Sequence, residues 1–258
     1  MADWQIIDSH CHLDFPVFDG VRPQRVVAAL QAGVGRIIVP GVAAKDFQRV
    51  VDTASAFANV YFSLGLHPCF MPEHQADDLQ ILADWVAQYP VCAIGEIGLD
   101  FYIPDHDSAA QIALLKAQLK IAKQHQLPVL LHVRKAHDVM LKTLRDLQFE
   151  QGGIVHAFNG SAQQANIYIK MGFKLGFGGT LTYPGSHRIR ALAAELPLES
   201  IVLETDAPDM PLYGRRGEPN QPAYVADVLK ELAQLRVEPI ETIATLTSAN
   251  VEQLLSLN

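Results

Sequence analysis

Two histidines one residue apart, His10 and His12, are the first side chains in the sequence that could bind a metal ion. They follow a short apolar run at residues 4–7, which predicts a strand. Because side chains alternate along a strand, the two imidazoles would share one face and Cys11 would point to the other. Two imidazoles on a rigid strand end can bind one cation, but the pair alone also fits two surface histidines at the start of a loop.

Polar side chains also stand near the ends of five other apolar runs: His67, Glu96, His132, His156, Glu204 and Asp206. A single histidine in a strand is more often a hydrogen-bonded core residue than a ligand. A cluster of buried imidazoles and carboxylates, however, leaves polar groups unpaired unless a ligand binds them. Two divalent cations would satisfy such a cluster, with Glu96 as the bridge because its strand lies between the two halves of the histidine set. Nitrogen and oxygen ligands suit zinc, manganese or magnesium, and two adjacent cations indicate hydrolysis.

The elements that must position these side chains alternate between apolar strands and amphipathic helices. The strands are predicted at residues 4–7, 35–41, 60–67, 91–98, 128–133, 153–158, 173–178 and 201–206. The helices are predicted at residues 22–31, 45–57, 77–89, 108–125, 136–147, 161–171, 186–195, 221–235 and 241–255. Eight such strands in about 250 residues are typical of an α/β fold of the (β/α)8 TIM-barrel type, whose strand ends converge on one mouth. The alternative is a doubly wound open sheet, but the first strand lacks the glycine-rich phosphate turn of a dinucleotide-binding domain.

Composition limits the classes of function. The 258 residues predict one barrel domain over residues 1–258, and the net charge of −8 argues against a broad nucleic-acid surface while permitting a substrate that enters by its end. Three cysteines without a Cys-x-x-Cys motif predict neither a disulfide framework nor a zinc ribbon. We expect no signal peptide, no membrane span, no obligate protein partner and a cytoplasmic location.

Six motifs follow one another along the chain: Asp8-Ser-His-Cys-His-Leu-Asp14, Gly65-Leu-His-Pro68, Gly95-Glu-Ile-Gly-Leu-Asp-Phe101, His132-x-Arg134, His156-Ala-Phe-Asn-Gly160 and Glu204-Thr-Asp-Ala-Pro208. In this combination and order they resemble the TatD family of metal-dependent hydrolases, which belongs to the amidohydrolase-like barrels. The similarity extends from Asp8 to about Pro222. Ala157 and Asn159 stand where the family more often has Cys and Ser, and Phe101 stands where Tyr is common. These departures lie in loops at the mouth, so they concern the choice of substrate rather than hydrolysis.

The resemblance implies two groups of ligands joined by Glu96: His10, His12 and Asp206 for the first cation, and His132 and His156 for the second. It also implies that Asp206 accepts the proton of the attacking water. The activity that it implies is phosphodiester hydrolysis, typically that of a deoxyribonuclease of the 3′-exonuclease kind. The expected substrate is a single-stranded DNA end or another small phosphodiester.

Several neighbouring residues could support such a site. Arg134 lies two residues after His132 on the same strand, where it suits either a substrate phosphate or a salt bridge to a nearby carboxylate. His67 is expected to contact substrate or a ligand. Glu204 and Asp100 are expected to orient metal ligands from behind.

Four further side chains could have either a substrate-binding or a structural role. Phe101 and Tyr102 could stack on a nucleobase, although core packing suits at least one of them. Arg215 and Arg216 could form a basic lip beside Asp206 or belong to a solvated loop.

Two other functions compete with the nuclease. Related metal barrels cleave C–N and C–O bonds, so the chain could be an amidase, esterase or lactonase. Many of those enzymes bridge their cations with a carboxylated lysine, and the absence of lysine from residues 94–100 favours a glutamate bridge. A non-catalytic binding module is disfavoured by the complete ligand set.

Overall fold

The computed structural model describes residues 5–257. In chain order its strands are β1 (Ile6–Asp8), β2 (Val34–Pro40), β3 (Val60–Ser63), β4 (Ile94–Asp100), β5 (Val129–Arg134), β6 (Gly153–Val155), β7 (Phe173–Phe177) and β8 (Ile201–Leu203). Its α-helices are α1 (Arg22–Gln31), α2 (Phe47–Ser55), α3 (Asp78–Gln88), α4 (Ser108–His125), α5 (His137–Asp146), α6 (Ala162–Lys170), α7 (His187–Glu195), α8 (Val225–Leu235) and α9 (Ile240–Leu255). The alternation of strands and helices confirms the predicted α/β class.

The strands close into a barrel across two seams. Strands β1 to β3 and strands β4 to β8 each pair in parallel and in sequence order. At one seam the amide of Gly95 donates to the carbonyl of Leu64 at 2.9 Å. At the other seam the amide of Ser9 donates to the carbonyl of Leu203 at 3.0 Å. Because both edges pair, the TIM-barrel prediction is confirmed and the open-sheet alternative is wrong.

A small apolar cluster fills the barrel interior. It takes one residue from each of five strands and one from just before β4: Ile7, Ile38, Leu130, Ile154, Val202 and Ala93. Residues from opposite sides of the sheet can share one cluster only if they point inward. Val251 and Leu255 of α9 complete this cluster, so the last helix covers one end of the barrel.

A second, larger cluster joins the strands to the surrounding helices and holds the rest of the core. Its members alternate along the strands with those of the interior cluster: Ile37 and Val39 flank Ile38, and Leu131 follows Leu130. This period of two is that of a strand buried on both faces. The apolar runs of the sequence therefore reflect burial on both faces of the barrel wall.

Three strands end three or four residues earlier than predicted, which moves four site residues into loops. Strand β3 ends at Ser63 rather than at residue 67, so His67 instead caps a 3-10 helix at Pro68–Glu73 and accepts a hydrogen bond from the amide of Cys69. Strand β6 ends at Val155, one residue before His156. Strand β8 ends at Leu203, and Asp206 has a left-handed φ of +57° that a strand cannot contain. Glu204 and Asp206, which the prediction placed within the strand at residues 201–206, therefore lie beyond its end.

The helix predictions hold more closely. Helix α4 has the predicted bounds, and Ser161 caps α6 in a capping box with Gln164. The predicted helix at residues 45–57 is divided into a 3-10 turn at Ala44–Asp46 and α2. Trp4, placed in the first predicted strand, lies outside the described residues. Within residues 5–257, every helix falls short of the length and apolarity that crossing a membrane requires.

Candidate metal centre

The seam between β1 and β8 brings His10, His12 and Asp206 together. The amide of Asp206 donates to the carbonyl of His10 at 2.8 Å, and the amide of His12 donates to the carbonyl of Ala207 at 2.8 Å. Asp206 Oδ1 then lies 3.7 Å from His10 Nε2 and 3.6 Å from His12 Nε2. Cys11, between the two histidines, is buried in the apolar core. The loops after the first and last strands thus present two imidazoles and a carboxylate to one point.

Asp8 fixes this seam from beneath. Its buried carboxylate accepts hydrogen bonds from the hydroxyl of Thr205 at 2.6 Å and from the amide of Thr205 at 2.9 Å. Burial raises the pKa of Asp8 well above its usual range, against the lowering effect of these hydrogen bonds. Sequence reasoning missed this role, although Asp8 opens the first motif.

Glu96 lies at the centre of the cluster and is 2% exposed. Its Oε2 is 3.1 Å from His10 Nε2 and 3.5 Å from His12 Nε2. Its Oε1 faces three other imidazole nitrogens at 3.1–3.2 Å: His67 Nε2, His132 Nδ1 and His156 Nε2. Each carboxylate oxygen therefore serves a different group of side chains.

Strand β4 also positions His132 through its neighbours Gly98 and Asp100. Gly98 pairs with His132 across the ladder and has a φ of +154°, where a Cβ would lie 1.9 Å from the carbonyl oxygen of His132. Only glycine tolerates this approach. Asp100 Oδ2 is 2.9 Å from His132 Nε2, so the carboxylate holds the ring with Nδ1 towards Glu96.

His156 is held by the loop after β6 and by Glu204. Ala157 has a left-handed φ of +44°, and its amide donates to Glu204 Oε1 at 2.5 Å. The same oxygen lies 3.6 Å from His156 Nδ1, while His156 Nε2 faces Glu96. Asp100 and Glu204 thus stand behind His132 and His156 respectively, on the side away from Glu96.

The pKa shifts in this cluster run in opposite directions. Burial, with the charge of His156, lowers the pKa of His10 to about 3, and burial lowers that of His67 to about 4. For His12, burial acts downward, but the hydrogen bond and charge of Glu96 raise the pKa to about 9. Burial would likewise raise the pKa of Glu96, but the surrounding histidines hold it well below its usual range.

With only protons bound, neutral and charged imidazoles would therefore lie side by side in this cluster. The ring of His10, whose pKa is lowered, stacks on that of His156, whose pKa is raised, with centroids 4.1 Å apart. Divalent cations bind neutral imidazole and ionised carboxylate, which are the forms that this cluster can supply together. One group of buried ligand atoms comprises His10, His12 and Asp206, and a second comprises His10, Glu96 and His156. The residues present therefore fit a metal centre.

A cavity of about 470 Å³ opens onto this cluster. Its apolar walls come from Phe15, Val42, Phe70, Val133, Ile189 and Met210. Arg134 lies at its edge, where the guanidinium carbon stacks 3.8 Å from the centroid of the Tyr102 ring. Within residues 5–257 Arg134 forms no ion pair, so the salt-bridge alternative for this side chain is not observed.

Two arginines of the loop before α8 have structural partners. Arg215 pairs with Asp227 at 3.0 Å and stacks on Tyr224. Arg216 lies over the ring of Tyr183 and donates to its hydroxyl. Of these two arginines, only Arg216 therefore has no carboxylate partner within residues 5–257.

Cys69 is a neighbour of the site that sequence reasoning missed. Its Sγ is 3.5 Å from Asp100 Oδ2, and it forms a third group of close ligand atoms with His67 and His132. Burial raises the pKa of this thiol to about 12. The available signal was its position two residues after His67 in the second motif.

Comparison with known proteins identifies the family to which this chain belongs. The profile described as TatD related DNase matches residues 7–256. The chain is 45% identical over 242 residues to an uncharacterized metal-dependent hydrolase, YjjV, of Escherichia coli K12, covering 93% of each chain. The crystal structure of that TatD homologue superposes with a TM-score of 0.95 over 98% of both chains at 44% identity.

A more distant relative carries a named activity. The chain is 29% identical over 243 residues to a protein of Escherichia fergusonii named 3′-5′ ssDNA/RNA exonuclease TatD, covering 92% of this chain and 94% of that protein. The family profile and the relative at 45% identity both span nearly the whole chain. The protein is therefore a metal-dependent hydrolase that belongs to the family of TatD-related DNases.

Proposed function

We propose that this protein is a phosphodiesterase that removes nucleotides from the 3′ end of a single strand. The observation that carries the proposal is that the two carboxylate oxygens of Glu96 face different groups of side chains. Its Oε2 faces His10 and His12, and its Oε1 faces His67, His132 and His156. Such a carboxylate suits a bridge between two divalent cations, of which zinc, manganese and magnesium are the candidates.

His10, His12 and Asp206 would hold one cation, and His132 and His156 the other, with Glu96 shared. Bound there, the cations would supply Lewis-acid polarisation of the phosphoryl group and would lower the pKa of a water molecule. Asp100 holds the ring of His132 at 2.9 Å, and the carboxylate of Glu204 faces Nδ1 of His156 at 3.6 Å.

Asp206 is the residue that we assign as proton acceptor. Its carboxylate is 14% exposed and lines the cavity, whereas Glu96 is 2% exposed and is surrounded by imidazoles. A base must reach the proton that it removes, so the accessible carboxylate fits this role better. His67 and Arg134, which also line the cavity, would bind the phosphate oxygens.

The cavity supports a strand end as the substrate. A volume of about 470 Å³ is that of a small-molecule pocket and admits about one nucleotide rather than a duplex. The Escherichia fergusonii relative is named for the same class of substrate. The three cysteines are free, which supports a reducing cytoplasm as the location.

The experiment is a substrate panel with purified protein loaded in turn with zinc, manganese or magnesium. We expect a 5′-labelled single-stranded oligonucleotide to shorten stepwise from its 3′ end. His10→Ala, prepared in the same way, should lose this activity together with bound metal, which excludes a contaminating nuclease. Rapid hydrolysis of esters, lactones or amides with intact oligonucleotides would instead support the amidase, esterase or lactonase alternative and overturn the proposal.

A further inference from the structure

A second depression lies beside the metal centre on the α5–α7 side of the mouth. It has a volume of about 550 Å³ and shares Asn159 with the central cavity. Lys135 and Arg188 both line it, and Arg134 lines the central cavity one residue before Lys135. A chain that leaves the cavity past Asn159 therefore enters this depression, which we call the side groove.

The cations around the side groove are not neutralised by carboxylates. Among residues 5–257, Arg134, Lys135 and Arg188 form no ion pair. By contrast, Arg190 on the same helix as Arg188 pairs with Glu231 at 2.9 Å. In a protein with a net charge of −8, three unpaired cations at one side of the active-site mouth form a local positive surface.

One carboxylate, that of Asp138, lines the side groove together with the two cations Lys135 and Arg188, which leaves one positive charge in excess among these three side chains. Asp138 Oδ1 accepts a hydrogen bond from Gln164 Nε2 at 2.7 Å. Arg188 donates to the carbonyl of Asn159 at 2.8 Å, which holds its guanidinium at the border with the central cavity. Lys135 has a left-handed φ of +54°, the turn by which the chain passes from β5 to α5.

An exposed aromatic ring completes this surface. Tyr102 is 52% exposed, and the two cations at the end of β5 contact its ring: the guanidinium carbon of Arg134 at 3.8 Å and Nζ of Lys135 at 4.9 Å from the centroid. Unpaired cations beside an exposed ring are the combination that binds the backbone and bases of a single strand.

We propose that Lys135, Arg188 and Tyr102 form a second nucleotide subsite, which binds the phosphate and base adjacent to the nucleotide being removed. This inference rests on the proposed phosphodiesterase function and specifies its substrate class: a strand of at least two nucleotides, preferred over an isolated phosphodiester. Lys135 and Arg188 bind the backbone phosphate in the side groove, and Tyr102 stacks on a base. The subsite recognises the phosphate charge and the flat face of a base, which all nucleotides share, so it accepts any base sequence.

The test compares substrates that do and do not reach the side groove. The variant is the double substitution K135Q/R188Q, and the matched control is K120Q, an exposed lysine on α4. For a 5′-labelled deoxythymidine oligonucleotide we expect kcat/KM to fall roughly tenfold in K135Q/R188Q, because two phosphate contacts are lost. Bis(p-nitrophenyl) phosphate has a single phosphate and no second nucleotide to place in the side groove, so for it we expect a change below about twofold, as for K120Q with both substrates.

Salt dependence provides a readout that misfolding would not mimic. Removing both cations that contact the backbone phosphate in the side groove should reduce the slope of log affinity for the oligonucleotide against log salt concentration by about 0.7, since each neutralised phosphate contributes about 0.7 for single strands. Y102L should weaken oligonucleotide binding roughly tenfold, and Y102F should restore it because the ring is retained. Comparing kcat/KM for an oligouridine and an oligodeoxythymidine of equal length shows whether RNA or DNA is the preferred strand.

Equal losses on both substrates, or no loss on the oligonucleotide, would overturn the subsite. Fluorescence anisotropy with the labelled oligonucleotide separates this failure from that of the proposed function, because it needs no turnover. If the wild type cleaves no phosphodiester but binds the strand through Lys135 and Arg188, the subsite stands and the proposed function fails. Binding that is absent or indifferent to both substitutions overturns the subsite even if the enzyme is an active nuclease.

Discussion

Replacing Glu96 with glutamine tests most directly the proposal that Glu96 bridges two cations. The amide keeps the shape of the side chain but removes its charge, and Glu96 is 2% exposed, so little space is created or filled. The ligands that we propose for the second cation would then be only the neutral imidazoles of His132 and His156. We expect E96Q to retain the cation held with Asp206 and to lose the other, so that the metal content falls from two per chain to one.

The expected magnitude follows from the short distances around the carboxylate. Five imidazole nitrogens lie within 3.5 Å of its oxygens, so a cation held by these rings would be within a few ångströms of the lost charge. At about 4 Å and an effective dielectric constant of about 20, the lost unit charge and a divalent cation interact by about 8 kcal/mol. This corresponds to a loss of up to about 10⁶-fold in affinity for the second cation, and turnover that requires this cation should be lost with it.

The assay is metal analysis of the dialysed protein together with turnover of an oligonucleotide. E252Q is the matched control, because Glu252 on α9 pairs with Arg36 on β2, away from the metal centre. Thermal unfolding monitored by circular dichroism shows whether E96Q folds, and E96D, which keeps the charge, should recover part of the metal content. Two cations per chain and turnover within tenfold of the wild type in E96Q would refute the bridging argument.

Three further predictions concern the surroundings of Glu96. In D100N the ring of His132 loses its carboxylate, so metal affinity measured by titration calorimetry should fall about 10–100-fold with little change in melting temperature, and an unchanged affinity would contradict the orienting role of Asp100. In G98A the new Cβ would lie 1.9 Å from the carbonyl oxygen of His132, so urea unfolding should show a loss of about 3 kcal/mol or more, and a loss below 1 kcal/mol would contradict this packing. In the metal-free protein, the pKa of His12 is raised to about 9, so its stabilising contribution is complete below its unfolded pKa of 6.5 and is lost as the pH rises through 9. The free energy of unfolding should therefore fall by up to about 3 kcal/mol over this interval in the wild type and less in H12Q, and a flat profile in both would be inconsistent with the raised pKa.

The fold was accessible to sequence reasoning because a barrel strand is apolar on both faces. Runs such as Ile37-Ile38-Val39 and Val129-Leu130-Leu131 stand out from amphipathic helices by this property alone. Helix ends were accessible where a capping residue marks them, as Ser161 does for α6. The ends of strands were harder to predict from the sequence. After Ser63, for example, the chain stays buried and apolar although it no longer pairs with β2.

The candidate site was accessible where motif residues carry unusual side chains within apolar runs. Glu96 and His132 are examples, since a buried charge or imidazole in a strand requires a partner. Arg188 carried no such signal, because an arginine in the first turn of an amphipathic helix is indistinguishable from any solvated one. Its position beside Asn159 depends on how α7 packs against the loop after β6, which local sequence does not specify.

The two seams of the barrel explain why ligands from distant parts of the chain meet at one centre. His67 and Glu96 lie on opposite sides of the seam between β3 and β4, and their side chains are 3.2 Å apart. His10 and Asp206 lie on opposite sides of the seam between β1 and β8. Backbone hydrogen bonds cross each seam, and side chains such as Asp8 and the cluster around Glu96 add further links between the two sheets. A cation bound at the proposed centre would contact residues from both sheets, so its binding and the closure of the barrel would stabilise each other.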